Sequence, residues 1–145
     1  MNQDYLSAID QIIRTGHWIT DQVSVELKEF DISEPQYNVL RVLKVRGGDP
    51  ITVQKIQNKM VQRTSNVTRI IDKLLEKGLV SRTECPSNRR KMDIAITKQG
   101  EELLVELNKK VIAFHQSMAK NLAAEEAQEL TRLIKKLKAR SSHDL

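Results

Sequence analysis

Apolar positions in this chain recur first at helical spacing, then alternate for a short stretch, then return to helical spacing. From about Gln3 to Glu29, Leu6, Ile9, Ile13, Val23 and Leu27 mark one stripe of a long first helix, with Gly16 a soft point in its middle. A second helix begins where Ser33 caps and Gln36 reaches back, with Pro35 in the first turn; Tyr37, Leu40 and Leu43 follow before Gly47-Gly48 stops it. Thr52 caps a short third helix built on Val53, Ile56 and Met60. After a break near Val61 to Arg63 comes a fourth, closed by Gly78 after Lys77. In it Val67, Ile70, Ile71, Leu74 and Leu75 form the apolar face and leave Arg63, Ser65, Asn66, Thr68, Arg69 and Lys73 on other faces.

The period changes after Gly78. Leu79 to Glu84 is β-permissive, and Met92, Ile94 and Ile96 alternate with Asp93 and Ala95. Pro86-Ser87-Asn88 is turn chemistry, so these residues predict a hairpin with Arg89, Arg90 and Lys91 at its tip. Thr97 then caps a long fifth helix whose Leu104, Leu107, Val111, Phe114 and Met118 step by three and four, close to a heptad seam. A last helix, about Ala124 to Ala139, repeats the pattern with Ala127, Leu130, Ile134 and Leu137, and internal repeats and low-complexity segments are absent. Helix, break, polar-faced helix and hairpin in that order predict a winged helix-turn-helix over residues 33–97. The fold class is therefore mainly α, of the α+β kind. The helical regions 1–30 and 98–140 have apolar stripes left to bury, and we expect them to form a dimerisation module. A bundle closed within one chain is the alternative.

Charge sharpens this picture. The chain has 145 residues and a net charge of +5. The segment Lys59–Lys91 holds Lys59, Arg63, Arg69, Lys73, Lys77, Arg82, Arg89, Arg90 and Lys91 against Asp72, Glu76 and Glu84, a surplus of six, so the remainder sums to −1. A surplus confined to one segment points to a localised polyanion, because phosphate neutralisation releases counterions. The five aromatics include none between Pro50 and Val111, which disfavours both membrane-surface insertion and base stacking on single-stranded RNA. The first residues lack the basic start, apolar block and cleavage site expected of a signal peptide, no apolar run approaches membrane length, and with Cys85 the single cysteine an intrachain disulfide is impossible. A reducing cytoplasm is the expected compartment.

These residues resemble a known family. Pro35-Gln36-Tyr37-x-x-Leu40, the run Ser65-Asn66-Val67-Thr68-Arg69-Ile70-Ile71-Asp72-Lys73-Leu74 with Lys77-Gly78-Leu79-Val80, and Asn88-Arg89-Arg90 followed by Ile94-x-Ile96-Thr97-x-x-Gly100 are similar to the MarR family of bacterial transcriptional regulators, over nearly the whole length of 1–145. The resemblance implies a single-domain protomer that dimerises through its first, fifth and sixth helices. It implies recognition helices in successive major grooves of a palindrome and wings in flanking minor grooves. Two positions depart from the pattern: Asn88 stands where an aspartate usually steadies the tip arginine, and Leu122-Ala123-Ala124 opens the sixth helix where a serine cap is common.

The candidate DNA-binding residues are therefore Arg63, Thr64, Ser65, Asn66, Thr68, Arg69 and Lys73 on and before the fourth helix, with Arg89, Arg90 and Lys91 on the wing. Short donors and arginines suit base edges and phosphates, and arginine suits a narrow minor groove. His17, Trp18 and Tyr37 are candidates to line a cleft for a small aromatic or amphipathic effector. The plainer reading makes Trp18 and Tyr37 core and His17 a rim residue. His17, His115 and His143 lack ligand-like spacing, so no metal or other cofactor is expected. An enzyme fails on inventory, with no nucleophile elbow, phosphate loop or acid pair. The expected function is a dimeric, sequence-specific repressor of a palindromic operator, released by a small ligand. A protein-interaction module with this fold is the competing class, and outward-facing arginines count against it.

Overall fold

The structure, a computed structural model, describes residues 1–60 and 66–139, and at Arg89 and Arg90 the backbone. The first helix, α1 (Gln3–Leu27), is capped by the Asn2 side chain and passes through Gly16 unbroken. It ends at Leu27 rather than Glu29, because Lys28–Phe30 tighten into a 3-10 turn and Asp31 turns left-handed at φ 55°. Helix α2 (Glu34–Val45) carries the full capping box: Ser33 Oγ accepts from the Gln36 amide at 3.3 Å and Gln36 Oε1 accepts from the Ser33 amide at 3.2 Å. Past its end, Gly47 and Gly48 take φ of 60° and 95°, a turn that any Cβ would strain.

A two-residue strand, β1 (Ile51–Thr52), follows, which the hydrophobic pattern did not predict. Thr52 also caps α3 (Val53–Lys59), accepting from the Lys55 amide at 3.3 Å. Helix α4 (Val67–Glu76) begins after Asn66, so Asn66 precedes the helix instead of lying on its face. Arg63, Thr64 and Ser65 lie outside the described residues. Strands β2 (Val80–Cys85) and β3 (Asn88–Ile96) make the hairpin, and the sheet runs β1-β3-β2, antiparallel throughout. Cys85 faces Asn88, so the turn is Pro86-Ser87 and Asn88 already belongs to β3.

Thr97 joins the sheet to α5 (Lys98–Ala119): its hydroxyl donates to the Gly78 carbonyl at 2.8 Å and accepts from the Gly100 amide at 3.1 Å. The last helix is α6 (Ala124–Lys138). Alanine offers no side-chain acceptor at its cap, but Glu126 supplies the other half of a capping box by accepting from the Ala123 amide at 2.9 Å.

The chain divides into two units, residues 1–111 and the residues from 112 onward. The core belongs to the first, where Leu27, Leu40, Leu43, Ile56, Leu74, Ile94 and Leu107 are enclosed. In the second, the Phe114 and His115 rings sit 5.8 Å apart and no residue of α6 is buried. On α1, Leu6, Ile9 and Ile13 of the predicted stripe are exposed, while Val23 and Leu27 are buried.

Candidate nucleic-acid interface

Helix α4 separates its side chains cleanly. Val67, Ile71 and Leu74 are buried, Ile70 and Leu75 half-buried, and Thr68, Arg69, Asp72, Lys73 and Glu76 are exposed. At about 100° per residue the exposed set spans one side of the helix and the apolar set the other. The first turn holds no acid. A helix N-terminus presents N–H groups and the positive end of the helix dipole, and no first-turn carboxylate of α4 competes for them, the condition that favours a phosphate. The acids come later: Asp72 pairs with Arg82 of β2 at 3.9 Å, an exposed contact worth little by itself.

The hairpin carries the second basic element. Its register shifts between Glu84, which faces Met92, and Cys85, which faces Asn88. Arg89, Arg90 and Lys91 therefore fall on the stretch of β3 where regular backbone pairing gives way. Lys91 is exposed. At the turn, hydrogen bonds from Ser87 hold the Cys85 thiol below its ordinary range, with the Ser87 hydroxyl 3.2 Å away.

One basic residue of the segment turns inward. Lys77 Nζ donates to the Asp31 carbonyl and to Gln36 Oε1 at 3.2 Å. Sequence reasoning placed Lys77 as a favourable charge at a helix end and within the basic surplus of its segment; its acceptors lie more than forty positions earlier, so no local signal reveals them. A polar cleft of about 410 Å³ lies beside it, lined by Ser24 and Lys28 of α1 and its extension, by Asp31 and Gln36, and by Lys73 and Lys77. A smaller one of about 270 Å³ lies between the α2 entry and α4, lined by Pro35, Gln36, Asn66, Arg69, Ile70 and Lys73.

The three effector candidates occupy different surroundings, and none of them lines either cleft. His17 is exposed and Trp18 is 48% exposed on α1. Tyr37 is core: its hydroxyl donates to Asn108 Oδ1 at 2.7 Å and the Arg41 guanidinium lies 5.6 Å from its ring centroid. Asn108, on α5, was not singled out by sequence reasoning because nothing near it in the chain marks it as a partner. Among the described residues, no cluster of His, Cys, Asp and Glu could hold a metal ion, and no helix is long and apolar enough to cross a membrane.

Comparison with known proteins places this arrangement. The model of the MarR family matches residues 32–92, from the α2 entry through the wing. A MarR transcription factor of known structure from Planctomyces limnophilus is 32% identical, covering 93% of this chain and 98% of that chain, with a TM-score of 0.72. The chain belongs to the MarR family of transcriptional regulators. MhqR, an HTH-type transcriptional regulator of Bacillus subtilis, is 26% identical over 146 residues, covering 99% of both chains. A mutant MarR from E. coli, solved in complex with operator DNA, shares the fold at a TM-score of 0.80 and 23% identity, covering 96% of this chain and 100% of that one. The part of this MarR-family chain that the family model matches holds α4 and the basic stretch of the wing, and leaves out α1, α5 and α6.

Proposed function

We propose that this MarR-family regulator is a homodimeric, sequence-specific repressor that sets α4 into successive major grooves of a pseudo-palindromic operator, with the wing in the flanking minor groove. The observation that carries the reading is the outward face of α4, with Thr68, Arg69 and Lys73 exposed beside an acid-free first turn. The likeness of the fold to an E. coli MarR solved with operator DNA supports it. In this reading Asn66, Thr68 and Arg69 meet bases and phosphates, together with Arg63, Thr64 and Ser65, and Lys73 meets phosphate. Arg89, Arg90 and Lys91 take the minor groove or its phosphates. Half-sites then lie about one turn, roughly 10 bp, apart.

Dimerisation follows from α1, where Tyr5, Leu6, Ile9, Ile12 and Ile13 are exposed in the single chain. So much apolar surface on one helix favours a partner, and a second copy supplies a matching one. Release of the operator is assigned to a small aromatic or amphipathic ligand that stabilises a different spacing of the two α4 helices, with His17, Trp18 and Tyr37 as the side chains to test. The site of action is the cytoplasm.

The test is affinity for the DNA upstream of the protein's own gene against a scrambled duplex, titrated in salt. A preference of about a thousandfold with a steep salt slope is expected. Equal, weak binding to both would move the function to a protein partner. Arg69→Ala should weaken operator binding by about 1–3 kcal/mol, while Lys73→Ala should lower affinity on all sequences alike; equal loss from Arg69→Ala on operator and random DNA would remove its base-reading role.

A further inference from the structure

Lys77 sits where three elements of the first unit meet. Its ammonium donates to the Asp31 carbonyl, just past the 3-10 turn that extends α1, and to Gln36 Oε1 in the first turn of α2, while Lys77 itself caps the C-terminal end of α4. The same Gln36 oxygen accepts from the Ser33 amide at 3.2 Å, so one acceptor closes the α2 capping box and holds the end of α4. The Asp31 carboxylate stands 3.7 Å from Nζ but is 99% exposed, so water screens it and the two neutral oxygens carry the link.

Directional bonds matter here because a polar cleft opens beside this end of α4, although its apolar stripe is buried through Leu74. The polar cleft of about 410 Å³ separates the end of α1 and the α2 entry from Lys73, Glu76 and Lys77 of α4. The apolar stripe of α4 fixes which face points inward, but hydrophobic contact is non-directional and tolerates small rotations and slides. Hydrogen bonds from a charged donor hold both distance and angle. A further polar link between α4 and its surroundings, Asp72 to Arg82, is exposed and long at 3.9 Å.

We propose that Lys77 is a positioning residue: by tying the C-terminal end of α4 to Asp31 and Gln36 it sets the angle at which α4 enters the major groove, and so the specificity of binding, without touching DNA. This rests on the reading of the protein as a sequence-specific DNA-binding regulator. It also sets Lys77 apart from the other basic residues of its segment. A lysine that contacts phosphate adds affinity on every sequence and steepens the salt dependence; one that only holds the reading helix in place affects the cognate sequence alone.

Operator and scrambled-duplex affinities, each across a salt series, and thermal stability separate the two for the full-length protein and its variants. Lys77→Met removes both bonds of the link, and Gln36→Met removes one of them together with one capping-box bond. Each should lower the operator-to-scrambled preference about tenfold with the salt slope unchanged. Lys77→Arg, which keeps charged donors, should retain most of the preference. Ser33→Ala removes the other capping-box bond and leaves Lys77 in place; it should lower stability with the preference intact. Unchanged preference in both methionine variants would overturn the proposal. So would a uniform loss on both duplexes with a salt slope smaller by about one, which marks a direct phosphate contact. Loss of preference in Ser33→Ala in step with its stability would overturn it too, by reducing the effect to general loosening. If the wild-type protein itself shows no operator preference, the reading as a sequence-specific regulator fails, and the clamp with it.

Discussion

Helices α4 and α1 carry apolar side chains at the same spacing of three and four, yet the two stripes end in opposite environments. In α4 the stripe is enclosed by α2, α3 and β2, and Leu74 is 0% exposed. In α1 the stripe divides: Val23 and Leu27 are buried toward the C-terminal end, while Ile13 is 54% exposed. Spacing identifies a face that gains by leaving water, and it does so equally for both helices. Whether that face is covered inside the chain depends on which elements fold back over it. For α4 the sheet and α2 do so, and the basic side is left outward by the same geometry that buries the apolar one. The N-terminal half of α1 is not covered in this way, and it is the surface proposed above for a second copy.

Substitutions on the two stripes should behave differently. Leu74→Ala removes enclosed methyl groups and should cost about 2–5 kcal/mol in denaturant unfolding, by the same amount at every protein concentration. Ile13→Asp on α1 should leave each chain folded and weaken self-association about a hundredfold, read by sedimentation equilibrium. Should Ile13→Asp unfold the chain independently of concentration, the α1 face is packed within the protomer and the contrast disappears.

Smaller effects test how the enclosed side is held. Gly100 sits against the strand entry: a Cβ there would collide with the Leu79 carbonyl and come 2.8 Å from Ile96 Cγ1. Gly100→Ala should therefore cost about 1–3 kcal/mol, measured by the thermal transition, whereas Gly16→Ala on α1, where a Cβ meets nothing within 4 Å, should be neutral or stabilising. Ser33→Ala should cost about 1 kcal/mol through the lost cap. The smallest effect is in pH. Burial, opposed by the Arg41 charge, holds the Tyr37 hydroxyl above its ordinary 10.0. The folded state thus favours the neutral phenol: this contribution is whole below the ordinary value and is lost as pH rises past it toward the raised one. Urea midpoints taken between about pH 9 and about pH 11 should fall more steeply for the wild type than for Tyr37→Phe.

Features confined to a few neighbouring residues were legible in advance. The caps at Ser33, Thr52 and Thr97 were each anticipated, and each accepts from an amide three residues on. The same holds for Gly78 closing α4 and for the alternation of Met92, Ile94 and Ile96 along β3. Apart from the local boundaries at Leu27, Asn66 and Asn88, the misses are partnerships at long range. Strand β1 is two residues long and exists because Ile51 and Thr52 pair with Ile94 and Asp93. The partner of Tyr37 is Asn108 on α5, and those of Lys77 are Asp31 and Gln36. Charge counting grouped Lys77 with the other basic residues of its segment, because a count carries no direction.

The amino-acid order alone settled the sequence of helices and hairpin, the caps at Ser33, Thr52 and Thr97 and the sidedness of α4, since each depends on hydrogen bonds and spacings within a turn or two of backbone. Folding in three dimensions decided which stripes are covered, which lysine faces inward and how α4 is tied to the end of α1. Those outcomes depend on groups far apart in the chain, brought within bonding distance only when the core around Leu40, Leu74 and Ile94 closes.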